Sequence, residues 1–346
     1  MDLTASPGAV YSDWVIPFLA DAMAAGQRVA LVTLVGVTGS SPRPLGSQLA
    51  VREDGASVGL ISGGCVEPSL VMDAVRAIRE QHCYLERYGQ GSRFIDVRLP
   101  CGSGIDVWFD TGLTSEIVQD LITARASRKP VVLAIDTATG HRRLIEGDCP
   151  AGVGAEGVFL RAYSPPCKIT IAGAGHVMVA LAQLCRLSEI AVDLVSTDRL
   201  TCQLLEHHGF RPMQVNAWAY YDWQQLDRWS GAVLLSHDHD DEADILATIL
   251  GTPAFYVGAL GSRRTHARRC DLLRHMGGEE EAIARINGPV GLSIGAMTPP
   301  EIATSILAEV IAHWRAMPIG SEVHSSWPDA ILGQPLRMPA YAGRKV

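Results

Sequence analysis

Two cysteines in glycine-rich loops are the residues of this chain best suited to bind a soft ligand or to act as nucleophiles. Cys65 follows Gly63 and Gly64 just ahead of a predicted helix, and Cys101 stands in the loop 100–104. A helix N-terminus favours the thiolate, which is the form that attacks and the form that binds metals. A packing role would account for one such cysteine. Two of them in glycine loops of one domain suggest a shared site.

At mid-length the chain carries the pattern of a phosphate-binding turn. A strand predicted over 167–172 leads into Gly173 and Gly175, and a helix is predicted to begin near His176. The first glycine permits a tight turn, the second lets backbone approach a phosphate, and the helix start directs free N–H groups at it. Met178 replaces the third glycine of the dinucleotide fingerprint, which weakens the case for NAD. The alternative is an ordinary turn whose glycines only allow tight packing.

Three further segments follow predicted strands and so belong to the carboxyl edge of a sheet, where doubly wound folds bind ligands. Asp198 is placed to bond ribose hydroxyls. The segment 236–242, with His237, is rich in His and Asp, and helix capping with ligand contact is favoured there over metal binding. Gly261-Ser262-Arg263 opens a helix. An arginine beside a positive dipole end favours an anion site over a solvated first turn.

Patterns of apolar residues predict the elements that position these groups. In the first half they predict helices at 11–26, 68–78 and 115–126, and strands at 29–37, 49–51, 58–61, 83–88, 93–99, 105–109, 131–136, 142–146 and 157–162. In the second half they predict strands at 167–172, 190–195, 211–215, 231–235, 254–258 and 292–294, and helices at 177–188, 200–208, 240–250, 262–276 and 299–315.

Strands alternate with helices only in the second half, which indicates a parallel sheet there. The chain is therefore predicted to be α/β, with an N-terminal mixed α/β domain followed by a Rossmann-like doubly wound parallel-sheet domain. Paired prolines at 165–166 mark the boundary. We expect domains at 1–163 and 167–316, and an irregular tail at 317–346 that is rich in Pro, Ser and Gly.

The composition is typical of an ordered globular protein and argues against nucleic acid and membranes as partners. The 346 residues are 47% hydrophobic and 19% charged, with a net charge of −8 and no basic run, which argues against nucleic-acid binding. No apolar run approaches the ~18 residues of a membrane helix, and no signal peptide opens the chain, so a cytoplasmic protein that binds no membrane is expected. The eight cysteines contain no C-x-x-C pair.

Taken together, these motifs resemble the XdhC/CoxI family, the accessory proteins of molybdenum hydroxylases such as xanthine dehydrogenase. The resemblance spans nearly the whole chain. In the first domain it rests on Gly39-Ser40-Ser41-Pro42-Arg43, Gly46, Ser62-Gly63-Gly64-Cys65-Val66-Glu67 and Cys101-Gly102. In the second it rests on 173–177, 198–199, 236–240, 257–264, 291–295 and 298–303.

The resemblance implies a protein that binds the molybdenum cofactor, protects it, supports its sulfuration with a cysteine desulfurase and delivers it to an apoenzyme such as xanthine dehydrogenase. It implies a maturation factor rather than a turnover enzyme, and a homodimer. Cys65 and Cys101 are expected near the molybdenum or its sulfur. The cofactor, either molybdopterin or its cytosine dinucleotide form, is expected to contact Ser41, Arg43, Gly63, Gly64, Gly173, Gly175, His176, Asp198, His237, Gly261, Ser262 and Arg263.

Three other functions are compatible with parts of the sequence. An NAD(P)-dependent oxidoreductase would use the turn at Gly173, with His176 or His237 as an acid or base. A non-catalytic adaptor would bring a desulfurase to an apoenzyme without holding cofactor. A nucleotidyltransferase is suggested by the loop 39–46, which is loosely similar to the glycine–serine–arginine loop of those enzymes, and would require magnesium and CTP.

Overall fold

The structure is a computed structural model, which describes residues 13–92, 103–153, 157–235 and 242–317. It divides into two compact units, one up to Pro165 and the other from Pro166 to Pro318. The predicted tail at 317–346 lies outside the described residues except for Met317, and the predicted strand at 93–99 lies wholly outside them.

The first unit is built on two antiparallel sheets. Its helices are α1 (Ile16–Ala24), α2 (Glu67–Glu80) and α3 (Ser115–Ala126). Its strands are β1 (Val29–Thr38), β2 (Gln48–Arg52), β3 (Ser57–Gly59), β4 (Tyr84–Gly89), β5 (Gly104–Asp110), β6 (Val131–Asp136), β7 (Arg142–Glu146), β8 (Gly152–Val153) and β9 (Val158–Tyr163). The sheets have the orders β3-β2-β1-β5-β4 and β7-β6-β9-β8.

Alternate residues of β1 face opposite sides of the first sheet, as the period of a strand requires. Ala30, Val32 and Leu34 pack in one core with the apolar side of α2. Leu31 and Val35 pack in another with α1, α3 and strands of the second sheet. Both faces are therefore covered, which explains why β1 is apolar almost throughout instead of alternating.

The second unit is a single parallel sheet flanked by helices. Its strands are β10 (Lys168–Gly173), β11 (Ala191–Ser196), β12 (Met213–Gln214), β13 (Ser230–Leu235), β14 (Tyr256–Ala259) and β15 (Ile286–Asn287). Its helices are α4 (His176–Leu187), α5 (Arg199–His207), α6 (Glu242–Leu250), α7 (Arg263–His275), α8 (Glu280–Ile283) and α9 (Pro299–Ala316). The order β12-β11-β10-β13-β14-β15 is the 3-2-1-4-5-6 order of the Rossmann fold. The predicted fold class is confirmed.

Helices cover both faces of this sheet. Ile169 and Ile171 of β10 pack with α4 and α9 on one side, whereas Ala172 of the same strand joins the core that includes α6 on the other. No helix in the described ranges is long and apolar enough to cross a membrane.

The predicted last strand is wrong. Residues 292–294 form a turn in which the N–H of Ile294 donates to the carbonyl of Leu292. Ile294 is 57% exposed and Leu292 is 43% exposed. The sixth strand is instead Ile286–Asn287, where buried Ile286 pairs with β14. The short helix α8 and the short strand β8 were not predicted, and only two residues of the predicted strand at 211–215 are strand.

Candidate functional site

Three loops meet at one end of the first sheet. They are the loop after β1 (39–47), the loop after β3 (60–66) and the segment before β5 that contains Ser103. A Cβ built on Gly39 would lie 3.2 Å from Cβ of Ser103, and one built on Gly63 would lie 3.8 Å from Cγ of Pro42. Because β1, β3 and β4 end where β2 and β5 begin, the antiparallel order itself brings these loops together.

The loop after β1 is held by one side-chain contact within the loop and one to Asp13. The backbone N–H of Arg43 donates to Oγ of Ser41 at 3.2 Å, and the guanidinium of Arg43 pairs with the carboxylate of Asp13. The Arg43 side chain is 19% exposed. Because Pro42 approaches Gly63, the loop that carries Ser41 and Arg43 lies beside the Gly63 loop, and a role for these two residues stays a prediction.

Cys65 is exposed at the same end of the sheet. The glycines before it have φ of +97° and +111°, a region that favours glycine because it lacks a side chain. Cys101 lies outside the described residues, although Ser103, two positions further along, lies against Gly39. Proximity of the two thiols therefore stays a prediction.

The backbone N–H groups around Gly63 and Gly64 are already engaged by a carboxylate. Glu67, the first residue of α2, accepts hydrogen bonds from the N–H groups of Ile61, Ser62, Gly63 and Gly64 and from the Ser62 hydroxyl. Burial raises the pKa of the Glu67 carboxyl, but these hydrogen bonds outweigh it and hold that pKa below its usual value. The positive end of α2 is therefore met by Glu67 next to the thiol. The sequence motif includes Glu67 but does not by itself indicate this role.

At the second unit, the two glycines of the turn after β10 have different surroundings. A Cβ on Gly173 would lie 2.6 Å from Cβ of Leu235, so this glycine is required for the approach of β13. Gly175 has φ +85°, and nothing lies within 4 Å of where its Cβ would be. Exposed His176 then begins α4, which has no side-chain cap. Within the described residues, nothing accepts from its first N–H groups at the carboxyl edge of the sheet.

Met178 is fully buried in the core beneath α4. The third glycine of the dinucleotide fingerprint allows close helix–strand packing, and here a large apolar side chain occupies that position. The substitution is therefore a feature of packing rather than of the ligand surface.

Asp198 caps α5 and is linked to the glycine turn. Its Oδ2 accepts from the N–H and hydroxyl of Thr201, at 2.8 and 2.5 Å, and the Thr201 hydroxyl accepts from the N–H of Gly175 at 2.8 Å. The hydrogen bonds from Thr201 lower the pKa of Asp198. The Gly175 N–H is thereby directed at Thr201, a residue that sequence reasoning did not single out.

The turn after β14 lies at the same edge. Gly261 has φ +145°, and Oγ of Ser262 accepts from the N–H of Thr265 as the cap of α7. Arg263 and its neighbour Arg264 are exposed and form no ion pair with any acid in the described ranges. Within the described ranges these two cations lie beside a helix N-terminus without an acidic partner, and an anion site at this turn stays a prediction.

A buried ion pair connects the helices α6 and α7 close to this edge of the sheet. The sequence did not predict it. Arg269 of α7 donates to both carboxylate oxygens of Glu242, the first residue of α6, and to the carbonyl of Leu260. The side chains are 3% and 4% exposed.

His237 lies outside the described residues, as do its neighbours from 236 to 241. Among the described residues, no group of three or more His, Cys, Asp or Glu could hold a metal ion.

Comparison with known proteins agrees with the motifs. The model of the XdhC and CoxI family matches residues 22–89, and that of the XdhC Rossmann domain matches residues 169–310. The molybdenum cofactor insertion chaperone PaoD of Escherichia coli (strain K12) is 31% identical over 86% of each chain. A probable xanthine dehydrogenase subunit from Bacillus subtilis (strain 168) is 25% identical over 82% of this chain and 93% of its own.

The crystal structure of a xanthine dehydrogenase from Bacillus halodurans has the same fold. The comparison of the two structures has a TM-score of 0.71 and covers 91% of this chain and 98% of the other, at 22% sequence identity. Both units thus have counterparts among known proteins. The motifs, the matched regions and the extent of the relationship to PaoD show that the chain belongs to the XdhC/CoxI family.

Proposed function

We propose that this protein binds the molybdenum cofactor as cargo and delivers it to an apoenzyme of the xanthine dehydrogenase type. The observation that carries the proposal is the exposed thiol of Cys65 at the point where the Ser41 and Arg43 loop meets the Gly63 loop. A relative that covers most of the chain is named a molybdenum cofactor insertion chaperone, which supports the same function.

The two ends of the cofactor differ in chemistry, and each unit offers groups suited to one of them. Molybdenum held by dithiolene sulfur is a soft centre, and a thiol is the matching protein group. The phosphate end requires N–H donors and cations, which α4 and Arg263 supply at the carboxyl edge of the parallel sheet. In this proposal Cys65 contacts the molybdenum or its sulfur. Taken by itself, the edge of the second unit formed by Gly175, His176 and Arg263 is suited to a phosphate.

The proposal has finer parts. The cargo is molybdopterin or its cytosine dinucleotide form, and in the latter case Asp198 faces the ribose. The protein protects the cofactor and supports its sulfuration by a cysteine desulfurase, with Cys101 and His237 as further contacts. It acts in the cytoplasm as a homodimer and as a maturation factor rather than a turnover enzyme.

The test uses full-length protein, purified without oxygen and incubated with a source of molybdenum cofactor. Bound cofactor is then oxidised and its pterin measured by fluorescence, with a nucleotide assay on the same sample. We expect Cys65→Ala to lose most of the bound pterin. Cys149→Ala is the matched control, because the half-buried Cys149 thiol has a pKa raised to about 11, chiefly by burial, and belongs to a separate apolar cluster.

Two results would contradict the proposal. Unchanged pterin in Cys65→Ala would show that Cys65 does not contact the cofactor, and absence of pterin in the unmodified protein would show that the cofactor is not its cargo.

The Rossmann strand order favours an NAD(P)-dependent oxidoreductase as the second candidate. Tight NADH binding, measured by fluorescence titration in protein that takes up no pterin, would support that candidate instead.

A further inference from the structure

Four consecutive N–H groups in the first unit converge on one carboxylate. Those of Ile61, Ser62 and Gly63 lie 3.0, 2.7 and 3.3 Å from Oε1 of Glu67, and that of Gly64 lies 2.8 Å from Oε2. The Ser62 hydroxyl donates to Oε2 at 2.7 Å. Successive N–H groups around an anion form the concave site known as a nest. We call residues 61–64 the amide nest.

The local sequence favours this arrangement. Left-handed φ at Gly63 and Gly64 turns their N–H groups to the same side as those of Ile61 and Ser62. Glu67 stands in the first turn of α2, where the helix dipole stabilises a negative charge. The Ser62 hydroxyl also accepts from the N–H of Val66, so it connects the nest to the helix start. A carboxylate at this position satisfies five donors together.

Cys65 lies between two residues whose N–H groups are both bonded. The N–H of Gly64 donates to Glu67, and the N–H of Val66 donates to the hydroxyl of Ser62. A loop containing two adjacent glycines has high conformational entropy when nothing restrains it. The bonds to Glu67 restrain the backbone of the two glycines directly before Cys65.

We propose that the amide nest is an anion site that Glu67 fills from within the chain, and that the filled nest positions Cys65. Glu67 is then a positioning residue, and the chemical class of ligand that suits the nest is a small carboxylate. Only the importance of Cys65 for cargo rests on the function proposed above. The nest and its effect on the thiol are independent of the cargo.

The test removes the internal carboxylate and supplies an external one. In Glu67→Ala, the rate of alkylation of Cys65 by iodoacetamide is measured by mass spectrometry of the peptide that contains it. Glu67→Ala removes a negative charge two residues from Cys65 and frees four N–H dipoles of the preceding loop, so we expect alkylation to be about fivefold faster at neutral pH. Acetate should return the rate toward that of the unmodified protein, whereas acetamide at the same concentration should not.

Matched variants separate this effect from general damage. Glu53→Ala also removes a carboxylate from the first unit, but one that pairs with Arg28, and its Cys65 rate should not change. Ser62→Ala frees only the N–H of Val66, the residue directly after Cys65, and leaves Glu67 in place, so a smaller increase of about twofold is expected. It serves as the second test if Glu67→Ala fails to fold.

The outcomes are distinct. An unchanged Cys65 rate in folded Glu67→Ala, or a raised rate that acetate does not lower, would overturn the proposal. If Glu67→Ala fails to fold, an unchanged rate in Ser62→Ala would overturn it. Pterin retention is measured on the same samples. A rate that responds to acetate without any loss of pterin would support the nest and contradict the cargo role of Cys65.

Discussion

The buried ion pair between Arg269 and Glu242 gives the sharpest prediction about stability. Both side chains are almost fully buried, and the guanidinium makes two-pronged contact with the carboxylate. Replacing Arg269 with Met removes the cation and leaves a buried carboxylate. Breaking a buried pair in this way costs about 3–5 kcal/mol, because Glu242 stays buried after it has lost its contacts with the guanidinium. Arg269→Met should therefore destabilise the second unit strongly.

The same helix provides the control. Arg274 pairs with Glu280, but these side chains are 45% and 69% exposed. Solvent screens such a pair, so Arg274→Met should change the stability little. In urea unfolding, with a slope of about 2 kcal/mol per molar, the two variants should differ in midpoint by about 1.5–2.5 M.

A double variant tests whether the cost comes from the carboxylate that Arg269→Met leaves buried. Combining Arg269→Met with Glu242→Leu removes both charges and fills the space with apolar atoms, which is often neutral or stabilising. We expect the double variant to recover at least half of the loss seen in Arg269→Met. Equal midpoints for Arg269→Met and Arg274→Met would refute the reasoning, as would a double variant less stable than either single one.

Two further predictions follow from the glycine turn and from Glu67. Gly175→Ala should cost about 1–3 kcal/mol through its left-handed backbone alone, so additional loss of pterin in Gly175→Asp, at equal folding, would measure repulsion of a bound phosphate. The lowered pKa of Glu67 contributes stability that is present above the ordinary value of about 4.5 and is lost as pH falls through the folded value. Glu67→Gln should therefore flatten the acid side of the stability profile, and urea midpoints that keep their slope below about pH 4.5 would contradict it.

The elements of the fold could be predicted because each leaves a local pattern. The helix over 115–126 and the strand over 131–136 have the predicted bounds, since their apolar spacing and flanking turns coincide. The last strand could not be predicted in this way. The alternation at 292–294 resembles a strand, but pairing with β14 is what defines the sheet edge, and Ile286 provides it.

The partners of the site residues were harder to predict than their positions. Glu67 lies five residues from Ser62, and nothing local requires a charged side chain in the first turn of a helix to fold back over the preceding loop. Arg269 and Glu242 are 27 positions apart and meet only because α6 and α7 pack together. Such contacts depend on tertiary structure, which periodicity does not report.

Glycine loops in this chain therefore indicate where the backbone can accept an anion, but not whether the chain itself already supplies one. In the first unit the N–H groups of the amide nest donate to the carboxylate of Glu67. In the second, the N–H of Gly175 is directed at Thr201, which Asp198 holds. The uncapped start of α4 and the unpaired arginine at 263 are not satisfied in this way within the described residues. An anionic cargo should therefore depend more on these groups than on the N–H groups of the glycines themselves.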